Sequence, residues 1–321
     1  MEENILEMQN ISKSFFGVRV LFDVNFSVRR GEVHALLGEN GAGKSTLTKI
    51  LSAVYRKESG EIILDGKPLH ADSPRAAMDA GVSVIFQEFN LNPHATIYDN
   101  IFLGREDMKN GLVDRTREIA EARRLLERME MPLDPCMDVR HLSTAQKQVV
   151  EICKALSPEA KVIVFDEPTA SITDKETALL FKIIRQLRSE GVGIVYISHR
   201  LEEIFEICDR CTIMRDGCSV ATFDVAGVTK DRLTELMVGR TVQFTRNINP
   251  HVKADETALS VRNLTYKDRV KNVSFELKRG QVLGFSGLVG AGRTELMKCI
   301  AGAYDYKEGM AARPPHSRLA R

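Results

Sequence analysis

Residues 38–46 read Gly-Glu-Asn-Gly-Ala-Gly-Lys-Ser-Thr, and this stretch decides the fold. The apolar run Val33–Leu37 stands directly before it, which predicts a strand that leads through a glycine-rich loop into a helix. Glycines allow the backbone to turn tightly and to bring successive N–H groups against phosphate oxygens. The stretch therefore predicts a phosphate-binding loop formed by Gly38, Glu39, Asn40, Gly41, Ala42, Gly43, Lys44, Ser45 and Thr46.

The last residues of this loop supply a charge and a metal ligand. We expect Lys44 to reach the β- and γ-phosphates of a nucleoside triphosphate, and the Ser45 hydroxyl to bind Mg²⁺. A helix that begins near Lys44 adds the positive end of its dipole. A glycine-rich turn that matches by chance is the alternative, but the length of the pattern and its flanks argue against it.

A second apolar run, Val162–Phe165, ends in two carboxylates, Asp166 and Glu167. A parallel strand of this kind places its terminal acids beside a phosphate loop. We expect Asp166 to hold Mg²⁺, directly or through water, and Glu167 to act as the general base that polarises the attacking water. A solvated turn is the alternative for an isolated Asp-Glu pair. The Pro168-Thr-Ala sequence that follows, together with the phosphate loop upstream, favours the site.

A weaker copy of the loop, Gly287–Thr294, occurs at an offset of 249 (287 minus 38), with Arg293 in place of Lys44. The same offset aligns further segments: Val28–Val33 with Leu277–Val282, Leu47–Lys49 with Leu296–Lys298, and Gly60 with Gly309. One register over that length predicts a duplication. After Gly309 the likeness ends. Met310–Arg321 is either a natural tail or, more economically, the result of a truncation or a change of reading frame.

Composition limits the class of protein. The chain has 321 residues, enough for two domains, and 45 basic against 44 acidic residues, which does not favour nucleic acid as the main partner. No apolar run approaches the roughly 18 residues that span a bilayer, and the N-terminus does not resemble a signal peptide. The six cysteines fit a reducing cytoplasm. We interpret the Cys208–Cys211 pair as packing residues at the start of a strand and not as zinc ligands.

Apolar runs alternate with amphipathic segments, which predicts an α/β fold with a mostly parallel sheet. The predicted strands are Val82–Phe86, Val162–Phe165, Ile194–Ile197 and Thr212–Met214, with Ile5–Glu7, Val24–Val28 and Glu61–Leu64 in a small antiparallel β subdomain. Residues 88–157 predict a helical insert, in which Thr116–Glu130 is the clearest helix. The predicted domains are 1–245, complete, and 257–321, a partial second copy with a degenerate loop, joined by a linker at 246–256.

Six motifs in order resemble those of ATP-binding-cassette (ABC) ATPases, from residue 1 to about 245 and again from about 257 to 309. Leu142-Ser-Thr-Ala-Gln146 is similar to the signature motif, usually Leu-Ser-Gly-Gly-Gln. Gln87 matches the Q-loop, Ser171–Asp174 the D-loop, and His199 the switch histidine. Phe15 matches the aromatic residue that stacks on adenine, with Phe16 as the alternative. The phosphate loop and the Asp-Glu pair complete the six motifs, to which the match at Phe15 is additional.

The resemblance implies a P-loop ATPase core that binds ATP and Mg²⁺. It implies catalytic roles for Glu167, His199 and Gln87, with Gln87 also a ligand of Mg²⁺. His199 would contact the γ-phosphate. Ser143 would address the γ-phosphate that is bound in a facing cassette, with the help of its helix N-terminus. Thr144 and Ala145 stand where the family usually has two glycines, which allow close backbone approach to the nucleotide.

Within the family, Gln87–Leu91, Thr96–Arg105 and Leu236–Arg240 resemble the double-cassette ATPases of bacterial ribose, galactose and xylose importers. That subgroup implies a peripheral motor on the cytoplasmic face of the inner membrane. Its partners would be a permease dimer and an extracytoplasmic sugar-binding protein, with a second copy of this chain as a further partner. One alternative is a fragment that binds ATP without efficient turnover, because residues 257–321 lack an Asp-Glu strand, a signature motif and a switch histidine. Another is a soluble ABC ATPase that acts on ribosomes or DNA.

Overall fold

The computed structural model describes residues 3–86, 89–109, 111–156, 160–170, 172–239, 252–287, 290–305 and 308–312. The chain divides into two compact units, Met1–Val242 (unit 1) and Gln243–Arg321 (unit 2). The strands of unit 1 are β1 (Asn4–Phe15), β2 (Val18–Arg29), β3 (Val33–Leu37), β4 (Ser59–Leu64), β5 (Lys67–Pro68), β6 (Val82–Ile85), β7 (Met108–Lys109), β8 (Leu112–Val113), β9 (Val162–Asp166), β10 (Gly193–Ile197), β11 (Arg210–Arg215) and β12 (Cys218–Asp224). Those of unit 2 are β13 (Lys253–Tyr266), β14 (Val270–Arg279) and β15 (Glu308–Ala312).

The described residues form nine α-helices, several of which begin at a residue whose side chain caps them. They are α1 (Lys44–Leu51), α2 (Pro74–Asp79), α3 (Ile97–Phe102), α4 (Arg115–Arg128), α5 (Thr144–Leu156), α6 (Asp174–Ser189), α7 (Leu201–Ile207), α8 (Lys230–Val238) and, in unit 2, α9 (Arg293–Ile300). Ser73 caps α2 ahead of Pro74, and Thr96 forms a capping box with Asp99 at α3. Among the described residues, no helix combines the length and the apolar character that crossing a membrane requires.

The main sheet of unit 1 has the strand order β12-β11-β3-β10-β9-β6. All pairs are parallel except β11 with β12 at the edge. The central strands β3 and β10 are buried along their whole length, because helices cover a parallel sheet on both faces. The α/β prediction is confirmed. The predicted strands lie within one or two residues of β6, β9, β10 and β11.

A separate antiparallel sheet, in the order β2-β1-β4-β5, forms from the first third of the chain. Its long hairpin turns at Phe16 and Gly17, which both have positive φ, 51° and 81°. Two positive φ values in a two-residue turn match the right-handed twist of the strands that it joins. The predicted antiparallel subdomain is confirmed.

Between β6 and β9 the chain is mainly helical, as predicted for the insert. The helix expected at Thr116–Glu130 is α4, which buries Ala122, Leu125 and Leu126 on one face. The structure differs in one respect, because the two-stranded hairpin β7–β8 also lies in this segment. The predicted limits of the insert, residues 88 and 157, lie outside the described residues.

Unit 2 is a three-stranded antiparallel sheet, in the order β14-β13-β15, with α9 against it. Strand β13 begins at Lys253, inside the predicted linker 246–256, because Lys253 pairs with Arg279 across the hairpin. The linker prediction is therefore wrong for residues 253–256, and residues 246–251 lie outside the described residues. Val282 is 91% exposed, whereas its counterpart Val33 on β3 is 0% exposed. Strands β10 and β11 cover Val33 from both sides, and residues 281–287 form no strand.

Candidate nucleotide-binding site

The predicted phosphate loop connects β3 to α1, and its backbone shape depends on glycine. Gly38, Gly41 and Gly43 have φ of 153°, 86° and 101°. A Cβ atom on Gly43 would lie 2.6 Å from Leu21 Cδ2, and one on Gly38 would overlap the carbonyl oxygen of Met214. Gly41 has open space around it, so only its φ value favours glycine there. Glycine is thus required for two different reasons along the same loop.

Lys44 is held across this loop. Its Nζ donates to the carbonyl oxygens of Gly38 at 2.8 Å and Glu39 at 3.1 Å. Burial lowers the pKa of Lys44, while the nearby charges of Glu167 and Asp166 oppose that shift. The lysine is therefore fixed in place and still faces negative charge. Glu39, Asn40, Gly41 and Ser45 are exposed and Thr46 is half-buried, so the outer face of the loop is open.

Asp166 and Glu167 lie at the end of β9, on the same edge of the sheet as the loop. Strands β3 and β9 both run parallel to β10 and are its two neighbours, so their carboxyl ends meet at one edge. Burial and the adjacent charge of Glu167 raise the pKa of Asp166, and Lys44 and Lys49 partly offset this. Because the charge of the loop residue Lys44 acts on Asp166, the structure agrees with the sequence prediction that these acids lie beside the loop.

Glu167 and His199 come together although 32 positions separate them (199 minus 167). His199 Nδ1 lies 3.5 Å from Glu167 Oε2. The side chain of Glu167 is 25% exposed and that of His199 is 68% exposed. Glu167 has φ of 50°, in the left-handed region, and its N–H donates to the Ile197 carbonyl oxygen at 2.9 Å. A strained backbone at a predicted catalytic residue is a common feature of functional sites.

The two aromatic candidates differ in their surroundings. The Phe15 ring is half-buried and lies edge-on to Tyr55, with 5.1 Å between the ring centroids. Phe16 occupies the hairpin turn and is fully exposed. The hairpin approaches the phosphate loop, because Leu21 is the residue that crowds Gly43. The alternative residue, Phe16, therefore has the freer ring.

The predicted signature segment forms the start of α5. Gln146 N donates to Ser143 Oγ at 3.3 Å, and Ser143 N donates to Gln146 Oε1 at 2.8 Å, which is a capping box. The Ala145 N–H donates to Glu176. Ser143 and Ala145 are thus both engaged in holding the N-terminus of this helix.

Two acidic residues at the site were not predicted from the sequence. Glu176 accepts from Thr173 N at 2.7 Å and from Thr173 Oγ1 at 2.9 Å, and the N–H groups of Thr173 and Ala145 hold its pKa below the usual range despite burial. The Thr-x-x-Glu spacing of a capping box was the available signal. Glu203, which is buried, is the other.

Other predicted residues have different outcomes. Gln87 and Ser171 lie outside the described residues, so the roles predicted for Gln87 stay predictions. Cys211 is buried on β11, where burial raises its pKa to about 11, and Cys208 packs against the core at the end of α7. Residues 33–51, by contrast, adopt the strand–loop–helix arrangement that the sequence predicts.

Comparisons with known proteins point to one family. The family model described as "ABC transporter" matches residues 21–170 and 270–317. A putative ribose/galactose/methyl galactoside import ATP-binding protein of Agrobacterium fabrum is 49% identical over 299 residues, which are 93% of this chain and 59% of that protein. The galactose/methyl galactoside import ATP-binding protein of Pasteurella multocida is 44% identical over 311 residues, 96% of this chain and 61% of that protein.

Solved structures show the same fold. The cbiO1 protein of Clostridium perfringens, part of the ABC transporter complex cbiONQ, superposes with a TM-score of 0.63 at 26% identity, over 73% of this chain and 93% of that one. The chain spans about three fifths of the length of the curated relatives that it matches, 59% and 61%. The family match covers both loops and most of the intervening core, and on this ground the chain belongs to the ABC transporter family.

Proposed function

We propose that unit 1 binds Mg-ATP and hydrolyses it to ADP and phosphate. The observation that carries this proposal is the meeting of Lys44, Asp166 and Glu167 at one edge of the main sheet, with His199 3.5 Å from Glu167. A cation, a metal ligand and a base in one place are the parts that phosphoryl transfer to water requires.

The residues around Asp166 fit a divalent cation. The pKa of Asp166 is raised by burial and by the adjacent carboxylate of Glu167, and a bound divalent cation would relieve this repulsion. Asp166 and the exposed Ser45 hydroxyl are oxygen ligands of the kind that Mg²⁺ prefers, and Gln87 is proposed as a third. Mg²⁺ supplies neutralisation of the phosphate charge.

The protein groups have separate tasks in hydrolysis. The loop N–H groups and Lys44 bind the phosphates, with Lys44 exchanging its carbonyl partners for phosphate oxygens. Glu167 accepts a proton from the attacking water, and His199 contacts the γ-phosphate and orients that water. Phe15, or the more exposed Phe16, stacks on the adenine ring.

A complete site also needs a signature helix from a facing cassette. Ser143 and the N-terminus of α5 would contact the γ-phosphate that is held by the other cassette. Unit 1 carries a signature segment of its own, Leu142–Gln146, so we propose a second copy of this chain as the facing cassette. Closing and opening of the two cassettes would then drive a membrane partner.

The names of the relatives support a role in sugar import. We infer that the chain energises uptake of a monosaccharide through a separate permease dimer, which an extracytoplasmic sugar-binding protein supplies. It would lie on the cytoplasmic face of the bacterial inner membrane, held there by the permease. ATP binding without efficient turnover is a second candidate. The hydrogen bond from the Ala145 N–H to Glu176 favours this second candidate. That N–H lies at the N-terminus of the signature helix, where it would otherwise face the phosphate.

Two substitutions test the ATPase in the full chain. Lys44→Ala should weaken Mg-ATP binding roughly tenfold to a hundredfold, since a hydrogen bond to a charged group contributes about 1.5–3 kcal/mol. Glu167→Gln should keep the affinity for Mg-ATP and lower kcat by about 10²–10⁴, the range for loss of a general base. Binding is measured by calorimetry and turnover by phosphate release. Glu202→Gln, at an exposed position on α7, is the control.

Equal hydrolysis by wild type and Glu167→Gln would refute the assignment of the base. Transport is tested by reconstituting the chain with the permease and the sugar-binding protein in vesicles and measuring sugar-stimulated hydrolysis. Faster hydrolysis with the sugar present than with the sugar left out, over a basal turnover that does not need the sugar, would support the import role. Hydrolysis that no sugar stimulates would contradict it.

A further inference from the structure

Glu203, on α7, is a buried carboxylate that the proposed reaction does not use. It is 4% exposed, and it accepts hydrogen bonds from three hydroxyl groups and from one arginine. A buried charge is tolerated only when it is paired and hydrogen-bonded. Each partner of Glu203 belongs to a segment that carries, or borders, Glu167 or His199.

One arm of this cluster reaches the segment of Glu167. Thr169, two residues after Glu167, lies 2.8 Å and 2.9 Å from the two carboxylate oxygens of Glu203 through its Oγ1. Thr169 is itself buried. Glu203 therefore fixes the turn that follows the end of β9, in which Glu167 has its strained backbone.

The other arm holds the backbone on both sides of His199. Ser198 Oγ donates to Glu203 Oε2 at 2.8 Å and accepts from the Arg200 N–H at 3.0 Å. Arg200 NH1 also lies 2.9 Å from Glu203 Oε1. The residues immediately before and after His199 are thus tied to the same carboxylate.

Tyr196 completes the cluster from within the sheet. Its hydroxyl donates to Glu203 Oε2 at 2.9 Å from the buried strand β10. Burial and the Glu203 carboxylate raise the pKa of Tyr196 well above its usual value, so the hydroxyl stays a donor. Because all four partners donate, a carboxylate satisfies them and an amide does not.

We propose that Glu203 is a positioning residue for ATP hydrolysis, which sets the distance between Glu167 and His199 by holding Thr169 on one side and Ser198 with Arg200 on the other. This inference rests on the proposed function. Glu203 acts through these neighbours and does not itself touch the reacting atoms. The affinity for Mg-ATP depends on the phosphate loop and should be largely independent of Glu203.

The test compares Glu203→Gln with Glu202→Gln in the full chain. Glu202 is the adjacent glutamate on the same helix, 72% exposed and paired with Lys230 2.7 Å away, so it is the matched control. We expect Glu203→Gln to lower kcat by about ten- to a hundredfold, because displacement of about 1 Å at a reacting group has an effect of that order. The dissociation constant of Mg-ATP should stay within about twofold, as expected when only transition-state interactions are lost.

A readout without turnover separates this inference from the proposed function. In nucleotide-free protein with ¹⁵N-labelled histidine, the ring signal of His199, assigned with His199→Gln, should shift in Glu203→Gln and stay unchanged in Glu202→Gln. A wild type that does not hydrolyse ATP would refute the proposed function, and the ring signal would still decide the role of Glu203. An unchanged ring signal together with unchanged kcat would overturn the inference.

Should Glu203→Gln fail to fold, Thr169→Val and Ser198→Ala cut one arm each and leave the carboxylate in place. Each should lower kcat severalfold and shift the His199 signal, with thermal unfolding measured for both. Wild-type values for kcat and for the His199 signal in both variants would overturn the inference. A loss of Mg-ATP affinity equal to the loss of kcat would also overturn it, since that pattern indicates general damage to the site.

Discussion

At the scale of single residues, the site places charge where folding alone would not. Asp166 is a half-buried acid beside a second acid, and its pKa is raised by burial and by Glu167. A raised folded-state pKa means that the folded protein binds a proton more readily than the unfolded chain. At pH values above the raised pKa, the ionised carboxylate therefore lowers the stability of the ligand-free protein. Stability rises as the pH falls through the raised pKa.

Asp166→Asn should accordingly increase the free energy of unfolding of the ligand-free protein at pH 7. The gain should shrink as the pH is lowered through the raised pKa and disappear below about 3.8, the ordinary value for the group. Urea unfolding at several pH values measures it. Asp216→Asn, at a side chain that is 92% exposed, should change the free energy little. A variant less stable than wild type at pH 7 would contradict the electrostatic argument.

The sequence predicts some site residues and misses others for a physical reason. Lys44 follows from glycine spacing, and Glu167 from an apolar strand that ends in acids, because both signals are local. Glu203 contacts Thr169 across 34 positions, and nothing near Glu203 in the sequence indicates that partner. Contacts that arise only when strands come together are not visible in a motif.

At the scale of elements, the start of α5 has two tasks at once. Ser143 is the residue proposed to contact a phosphate, and it also caps the helix by accepting the Gln146 N–H at 3.3 Å. Loss of activity after its substitution has two possible causes. A cap-preserving substitution separates them.

Ser143→Ala should lower the free energy of unfolding by about 1 kcal/mol, the usual cost of removing an N-cap, whereas Ser143→Asn should leave it nearly unchanged because Asn also caps well. Chemical denaturation measures both. Equal stability of the two variants would show that Ser143 Oγ does not cap α5. A loss of ATP turnover in Ser143→Asn with full stability would assign the remaining effect to the phosphate contact.

Element positions could be predicted from sequence where burial is complete. The short apolar runs gave β6, β9, β10 and β11 because both faces of a parallel strand are covered. The start of strand β13 was assigned to the predicted linker, because its first residues are charged and lie on an exposed hairpin. The hairpin β7–β8 has only two residues in each strand and leaves no periodic signal.

At the scale of the whole molecule, the two units differ in the size of their cores. Among the described residues, unit 2 buries one small cluster, Val261, Leu264, Val270, Leu296 and Cys299, whereas unit 1 contains two large ones. A small core supplies less stability, because less surface is removed from water. We therefore expect unit 2 to unfold first.

Two buried cysteines report this order directly. Cys153 lies in unit 1 and Cys299 in unit 2, and Cys136 and Cys218 are exposed internal references. In urea, Cys299 should react with a pulsed thiol reagent at a midpoint roughly 1 M lower than Cys153, as a deficit of about 2 kcal/mol would produce. Mass spectrometry of the labelled peptides measures both. Coincident midpoints, or earlier labelling of Cys153, would contradict the expectation.

The glycine loop of unit 2 has one further consequence. Gly287, Gly290 and Gly292 have φ of 155°, 84° and 82°, which are similar to the φ values of the three glycines in the first loop. The residues directly before them, 281–286, form no strand. Gly292 also lies against the turn of the β13–β14 hairpin, where a Cβ atom would overlap the carbonyl oxygen of Arg269. The hairpin therefore selects glycine at position 292, because any side chain there would push the start of α9 away from the turn.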